Sequence, residues 1–443
     1  MNPYSSYKES GVKWIGKIPD DWTTNKIKYL TDGKKDSFID GDWIESTNIS
    51  ESGIRYITTG NIGEGVYKEQ GKGYISEETF VKLDCTEVFS GDLVISRLSP
   101  PVGRSCIIPN LQTRIVTSVD NVILRPKKDI EKSFLNFIFN SQGYYSHTDL
   151  ISRGTTLTRI SRTMLGNNKI VLPPLQEQQQ ISNYLDHKTQ HIDSLIEKTQ
   201  QKIELLKEQR TSLINQVVTK GLNPDVEMKD SGVEWIGKIP REWKKTKIGY
   251  YSDLVRGSGY QFLEQVDESF EGRKERVIRI SDFSEFDPMF CKYEEQFENY
   301  RIRKNDILIG GTGHYFGKSI ISSDDMFGMI HSYNIIRLVV KKIYPKYCFF
   351  YLNSQFIREL MDLSVTGSGQ PFLDFERINN LIILIPPFKE QQQIVDYLDT
   401  ETTKIDSTIE KETQRIDLLK EYRQSLISNV VTGKVDIRDE VVV

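Results

Sequence analysis

The sequence predicts an α+β fold in which two mixed α/β domains are joined by two long antiparallel coiled-coil helices and related by a pseudo-twofold internal repeat. Three observations carry that expectation. One phrase, Lys8-Glu9-Ser10-Gly11-Val12-Lys13-Trp14-Ile15-Gly16-Lys17-Ile18-Pro19 with Trp22 closing it, returns as Lys229-Asp230-Ser231-Gly232-Val233-Glu234-Trp235-Ile236-Gly237-Lys238-Ile239-Pro240 with Trp243. A second, Leu172-Pro173-Pro174-Leu175-Gln176-Glu177-Gln178-Gln179-Gln180-Ile181, returns as Ile385-Pro386-Pro387-Phe388-Lys389-Glu390-Gln391-Gln392-Gln393-Ile394. Between the phrases of each copy lies a long stretch that barely matches its counterpart, so a kept frame carries changed filling.

Taken in chain order, residues 1–174 form the first domain, 175–222 the first long helix, 223–387 the second domain, and 388–443 the second long helix with a tail. Arg55 to Ile62 and Arg276 to Phe283 alternate as strands do. Val88 to Ser96 reads as a tight turn at Gly91-Asp92 feeding a short strand, and Asn305-Asp306 feeds Ile307 to Gly310 in the same way. Phe134 to Ser141 and Tyr347 to Leu360 are helical patches rich in Phe, Tyr and Leu. Pro173-Pro174 and Pro386-Pro387 stop a strand and set the chain for a helix, where a missing N–H does least harm. Heptads follow in two series: Leu185, Ile192, Thr199, Leu206, Leu213 and Thr189, Ile196, Ile203, Arg210, Val217. The second copy repeats them as Leu398, Ile405, Glu412, Leu419, Leu426 and Thr402, Ile409, Ile416, Arg423, Val430. Gly221 with Pro224, and Gly433, end the two helices. The first, from residue 175 to 219, would run roughly 65 Å at about 1.5 Å per residue. So narrow an apolar stripe needs a partner, and an antiparallel pair would place the domains at opposite ends. Arg210 and Arg423 at seam positions read either as a register device paired with an acid or as seam ends opening to solvent.

With 443 residues and 37% hydrophobic content, each repeat can bury its own core. There is no apolar run near twenty residues, which excludes a bilayer-spanning helix, and no secretory signal is evident at the N-terminus, so a cytoplasmic location is expected. Cys85, Cys106, Cys291 and Cys348 form no CxxC pair, which argues against a disulfide framework or a zinc site. His187 and His191 stand four apart, but the second copy has Thr400 and Lys404 there, so they read as a solvated helix face. Net charge is −4; residues 23–172 carry 19 Lys and Arg against 17 Asp and Glu, and residues 244–385 carry 19 of each. Nucleic-acid binding by this chain alone should therefore be weak, with any strong phosphate clamp coming from a local patch or from partner subunits.

No motif supports catalysis in both copies. Gly311-Thr312-Gly313-His314-Tyr315-Phe316-Gly317-Lys318-Ser319 approaches a phosphate loop, but the first glycine position holds Thr312 and a strand-like Ile320-Ile321 follows. Ile385-Pro386-Pro387-Phe388 has isoleucine where an amino-methyltransferase needs a polar acceptor. From the residues alone, a coiled-coil scaffold joining two protein-binding domains stays open beside a nucleic-acid reader.

The two duplicated phrases closely resemble those of the specificity subunit of type I restriction-modification systems, and the resemblance covers essentially the whole chain. It implies a noncatalytic reader of double-stranded DNA with two target-recognition domains. That reader would assemble with two methyltransferase subunits and, through them, with motor-nuclease subunits. S-adenosylmethionine, ATP and Mg²⁺ would belong to those partners and no cofactor to this chain, nor would a membrane be involved. Loop donors and acceptors suited to base edges are then the candidate DNA contacts. In the first domain these are Thr58, Asn61, Arg97, Arg104, Arg153, Thr155, Thr156 and Arg159, and in the second Arg279, Asp282, His314, Tyr315, Lys318, Ser368, Gln370 and Arg377.

Overall fold

The computed structural model describes residues 3–71, 73–154, 157–259, 263–283, 287, 289–363 and 373–440. They form two compact units, Met1–Thr199 with Gln414–Val443, and Gln200–Thr413.

Within the first unit, one four-stranded antiparallel sheet runs in the order Phe38–Asp40, Asn121–Leu124, Leu93–Ser96, Ser105–Ile107. The two central strands are buried on both faces, which is why they read as unbroken apolar runs. Alternation still sorts their side chains. Leu93, Ile95, Val122 and Leu124 pack with Phe134, Leu135, Ile138 and Phe139 of the helix Lys132–Phe139, whereas Val94 and Ile123 pack with Ile57, Val88 and Ile115 of a second sheet. That second sheet has the order Gly73–Ile75, Ile54–Ile57, Ile115–Thr117, Glu87–Val88, with Ile115–Thr117 parallel to Ile54–Ile57.

The second unit repeats the plan. Its first sheet has the order Ser252–Arg256, Ile335–Val340, Ile307–Gly310, Ser319–Ile321, and its second holds a parallel pair, Lys274–Ile278 with Ile330–His331. Ile307, Ile309, Ile336 and Leu338 face the helical side, and Leu308 and Ile335 face Ile278.

Two expectations need correction. Arg55 to Ile62 and Arg276 to Phe283 do not continue as strands: pairing stops at Ile57 and Ile278, and short 3₁₀ turns follow at Thr59–Asn61 and Ile280–Phe283. The cause is a local side-chain acceptor, because Asn61 Oδ1 takes the Thr58 N–H (2.9 Å) and Asp282 Oδ2 takes the Arg279 N–H (2.8 Å). Tyr347 to Leu360 is likewise two helices, Pro345–Leu352 and Gln355–Leu363, broken where the Ser354 hydroxyl bonds back to the Tyr351 carbonyl (2.6 Å).

The long helices span Leu175–Lys220 and Phe388–Val431. In the first unit, Leu185, Ile192 and Ile196 share a core with Leu419 and Leu426, and Arg423 bonds Asp193 at 2.9 and 3.1 Å. In the second, Leu213 packs in one core with Leu398, Arg210 bonds Asp406 at 2.8 Å, and Lys202 pairs with Glu412 at 2.5 Å. Rising numbers on one helix meet falling numbers on the other, so the segments are antiparallel in each unit. Ile203, Ile405 and Ile416 are buried, and Leu206 and Ile409 half-buried. Of the two readings of Arg210 and Arg423, pairing with an acid across the helices is the one the geometry takes.

The two kept phrases meet in space. Glu177 accepts the Trp22 indole N–H (3.0 Å) and the Tyr4 hydroxyl (2.6 Å), and Glu390 accepts the Trp243 indole N–H (3.1 Å). Gln178 and Gln391 each accept a backbone N–H, from Glu131 (2.9 Å) and Tyr344 (2.8 Å), and each donates to the first proline carbonyl of its own phrase. The helix-ending glycines close the same frame at positive φ: a Cβ on Gly221 would meet Glu390 and Trp243, and one on Gly433 would strike Pro19. Among the described residues no helix is long and apolar enough to cross a membrane.

Candidate nucleic-acid interface

Although their sequences diverge, the two units hold their loops with the same backbone bonds. Arg97 N–H donates to the Asp120 carbonyl (2.8 Å) as Gly311 does to Asn334 (2.7 Å), and Ile160 to Arg97 (3.0 Å) as Leu373 to Gly311 (2.9 Å). Ser96 donates to Arg104 and Gly310 to Lys318, both at 2.8 Å. Matched positions therefore carry different chemistry: Arg97 against Gly311, Arg104 against Lys318, Asn61 against Asp282, Thr58 against Arg279.

The structure brings Arg97 and Arg159 into one cluster of alternating charge. Asp40 pairs with Arg97 (3.3 Å) and with Arg162 (3.5 Å), and Asp120 pairs with Arg159 (2.6 Å). Arg153 joins through backbone bonds to Arg159 in both directions (3.0 and 2.8 Å) and is exposed. Arg159 and Arg162 keep about two fifths of their side chains in solvent, whereas Arg97 is buried, and that burial pulls its pKa down against the attraction of Asp40.

Other candidates are committed inside the fold. Arg104 donates to five carbonyls, those of Ile62, Thr59 and Leu98 (2.7 Å each), Pro101 (3.0 Å) and Pro100 (3.1 Å), and so braces two loops from within. Asn61 is only 2% exposed; its amide donates to the carbonyls of Lys68 (2.9 Å) and Gln70 (2.8 Å). Thr58, one turn away, is exposed. Asp282 is buried as the acceptor for Arg279, whose guanidinium pairs with Asp287 (2.9 Å) and Asp282 (3.4 Å). Tyr315 and Lys318 are half-buried together, with the Lys318 ammonium 5.1 Å from the Tyr315 ring centre and that ring edge-on to Phe283 at 6.3 Å. Arg377 lies in the short helix Phe375–Asn380 beside its N-cap, Asp374 (3.4 Å). Thr155, Thr156, Ser368 and Gln370, and the side chain of His314, lie outside the described residues. Gly317-Lys318 runs into the strand Ser319–Ile321, where a phosphate-cradling loop would open a helix.

Sequence reasoning passed over Arg162, which completes the charged cluster, and Trp43. Trp43 is 69% exposed. Its neighbour Asp42 accepts the Thr86 N–H at 2.9 Å, and burial pushes its carboxyl up to about 6, against the pull of that hydrogen bond. A carboxyl with a raised folded value helps stability at low pH, and that help is lost as pH rises through about 6. Asp42→Asn keeps an acceptor for Thr86, and with the site half-solvated the gain is small. The variant is expected to melt about 2 °C above the parent at pH 7.5 and closer to it at pH 5; equal shifts at both values in a thermal melt would refute the assignment.

Among the described residues, no group of three or more His, Cys, Asp or Glu side chains could hold a metal ion. Two copies of one backbone, bearing different charged side chains at matched loop positions, define a tandem recognition protein. The family model for the type I restriction modification DNA specificity domain matches residues 19–205 and 240–421, and the chain belongs to that family. It is a specificity component with two target-recognition domains, not an enzyme. The chain is 22% identical over 445 residues to the putative type I restriction enzyme MjaX specificity subunit of Methanocaldococcus jannaschii, covering 98% of each. Among solved structures it resembles a chain described under complex assembly and conformational transition of the type I R-M system, with a TM-score of 0.67, 17% identity, and coverage of 94% of this chain and 99% of that one. It also resembles the HsdS subunit from Thermoanaerobacter tengcongensis, with a TM-score of 0.54, 16% identity, and coverage of 94% and 98%.

Proposed function

We propose that this chain reads a bipartite, asymmetric site on double-stranded DNA, residues 1–174 reading one half and 223–387 the other. The helices 175–222 and 388–443 act as the spacer and as the scaffold for two methyltransferase subunits, and motor-nuclease subunits join through these. The observation that carries the reading is the pairing of kept frame with changed loops: the Trp22–Glu177 and Trp243–Glu390 bonds recur, while Arg97, Arg104 and Asn61 become Gly311, Lys318 and Asp282. A scaffold with two like partners would have no reason to keep the frame and diversify the residues it holds. Adenine methylation and cleavage belong to the partner subunits, with S-adenosylmethionine, ATP and Mg²⁺ bound there. Near-balanced charge fits a subunit that reads bases while partners supply much of the phosphate grip.

The test is a map of methylated adenines after co-expression with the methyltransferase subunit. A two-part motif is expected, and exchanging residues 23–172 for those of a relative should change one half-site completely and leave the other intact. A continuous motif, or a map indifferent to the exchange, would overturn the proposal.

A further inference from the structure

Trp43 is held outward by a rigid support. Gly41 lies so close to the Thr117 and Ser118 carbonyls that a Cβ there would strike both. Asp42 N–H donates to Thr117 O (2.8 Å), Val119 N–H donates to Asp42 O (2.9 Å), and on the other side Ile44 packs against the buried cluster of Ile54, Ile75, Cys85 and Val116. The residue between these anchors is a large apolar ring with 69% of its surface in water. Its surroundings are charged. Asp40, three residues back, pairs with Arg97 and Arg162, and Asp120, next after Val119, pairs with Arg159. A solvated indole three residues from Asp40, whose partners include the partly exposed Arg162, matches the chemistry of a duplex, whose grooves offer base edges with apolar groups such as the thymine methyl and whose backbone offers phosphates. The second unit builds the same support, with Ser258 N–H donating to His331 O (3.0 Å) and Gly257 crowded against the carbonyls of His331 and Ser332, but the next residue is Gly259.

We propose that Trp43 is a specificity-determining contact of the first domain: its indole packs against base edges in a groove of the duplex while Arg153, Arg159 and Arg162 hold neighbouring phosphates. This rests on the reading that the domains bind DNA. It gives the first domain an apolar contact that the second lacks at the matched position.

The experiment uses the chain assembled with its methyltransferase subunits and duplexes carrying the methylation-mapped site or a scrambled one, over a salt series. Trp43→Ala is expected to weaken specific binding about tenfold, the scale of one base pair's contribution to a specific duplex site. The slope of log affinity on log salt should not change, because no phosphate contact is lost. Trp43→Phe should recover most of the affinity, and discrimination should fall only for changes in the half-site read by residues 1–174. Wild-type affinity in Trp43→Ala, or equal loss on specific and scrambled duplexes, would overturn the inference. So would reduced co-purification of the methyltransferase, which would assign the indole to a protein interface. A wild-type complex without any preference for the mapped site would instead defeat the DNA-reading proposal itself, so the two failures are distinguishable.

Discussion

Arg337→Met is expected to destabilise the second unit by about 3–5 kcal/mol, the usual cost of leaving one member of a buried ion pair without its partner. Arg337 and Asp306 are 5% and 4% exposed and meet at 2.9 Å. Asp306 also accepts the Arg303 N–H (2.8 Å), which shapes the turn at Asn305, where φ is +67°. Removing the guanidinium strands a carboxylate at the base of the strand Ile307–Gly310, the strand that leads directly into the Gly311 loop. The double variant Arg337→Met, Asp306→Asn keeps the turn's acceptor while removing the charge, and should regain more than half of the loss. Urea unfolding of the parent and both variants measures this, with Trp235 and Trp243 reporting on the second unit. A loss below about 1 kcal/mol, the range of solvent-exposed pairs, would show that the pair does not hold the loop base. In the first unit Asp92 stands where Asp306 does and accepts the Phe89 N–H (2.9 Å), but its partner is Arg125, two residues beyond Ile123, the position that matches Arg337; the bonds are 2.8 and 3.1 Å, and the Asp36 carboxylate adds a more exposed contact.

These ion pairs show where sequence reading succeeds and where it stops. The repeat, the helix seam and the strands Leu93–Ser96 and Ile307–Gly310 were legible because each is a periodic or literal pattern that one-dimensional spacing preserves, whereas the buried Asn121–Leu124 and largely buried Ile335–Val340 were not read. The glycines and prolines bounding the long helices were legible because their backbone limits act locally. Why the two phrases recur was not legible, since Trp22 and Glu177 stand 155 residues apart and only tertiary structure joins them. Candidate DNA contacts were chosen for hydrogen-bonding capacity, and that is also what a fold uses to tie loops together. Arg104 and Asn61 have the right donors, yet carbonyls of neighbouring loops take them. Arg159 and Arg153 keep their exposure because their loop lies at the surface. Trp43 escaped notice because hydrophobicity argues for burial, and only the anchored backbone on both sides forces it out.

If the helix pair is the spacer, matched insertions should reset the distance between half-sites. The antiparallel seam fixes how this must be done: Arg423–Asp193, Arg210–Asp406 and Lys202–Glu412 survive only when both helices lengthen at facing positions by whole heptads. Insertions after residue 205 of the first helix and after residue 411 of the second satisfy that condition. One heptad in each adds about 10 Å at 1.5 Å per residue, roughly 3 base pairs of duplex at 3.4 Å each. That carries the second half-site about a third of a turn around the DNA axis, so its reading face turns away and methylation should fall at least tenfold. Three heptads add about 31 Å, close to the 34–36 Å of one full turn, which brings both faces back into line. Methylation should then return on sites whose gap is longer by about 9–10 base pairs, with both half-site sequences unchanged. The same three heptads placed in one helix alone offset every pair beyond the insertion and should prevent assembly. Methylation maps of the three variants decide the matter: an unaltered gap in the three-heptad variant would mean that something other than the helices sets the spacing.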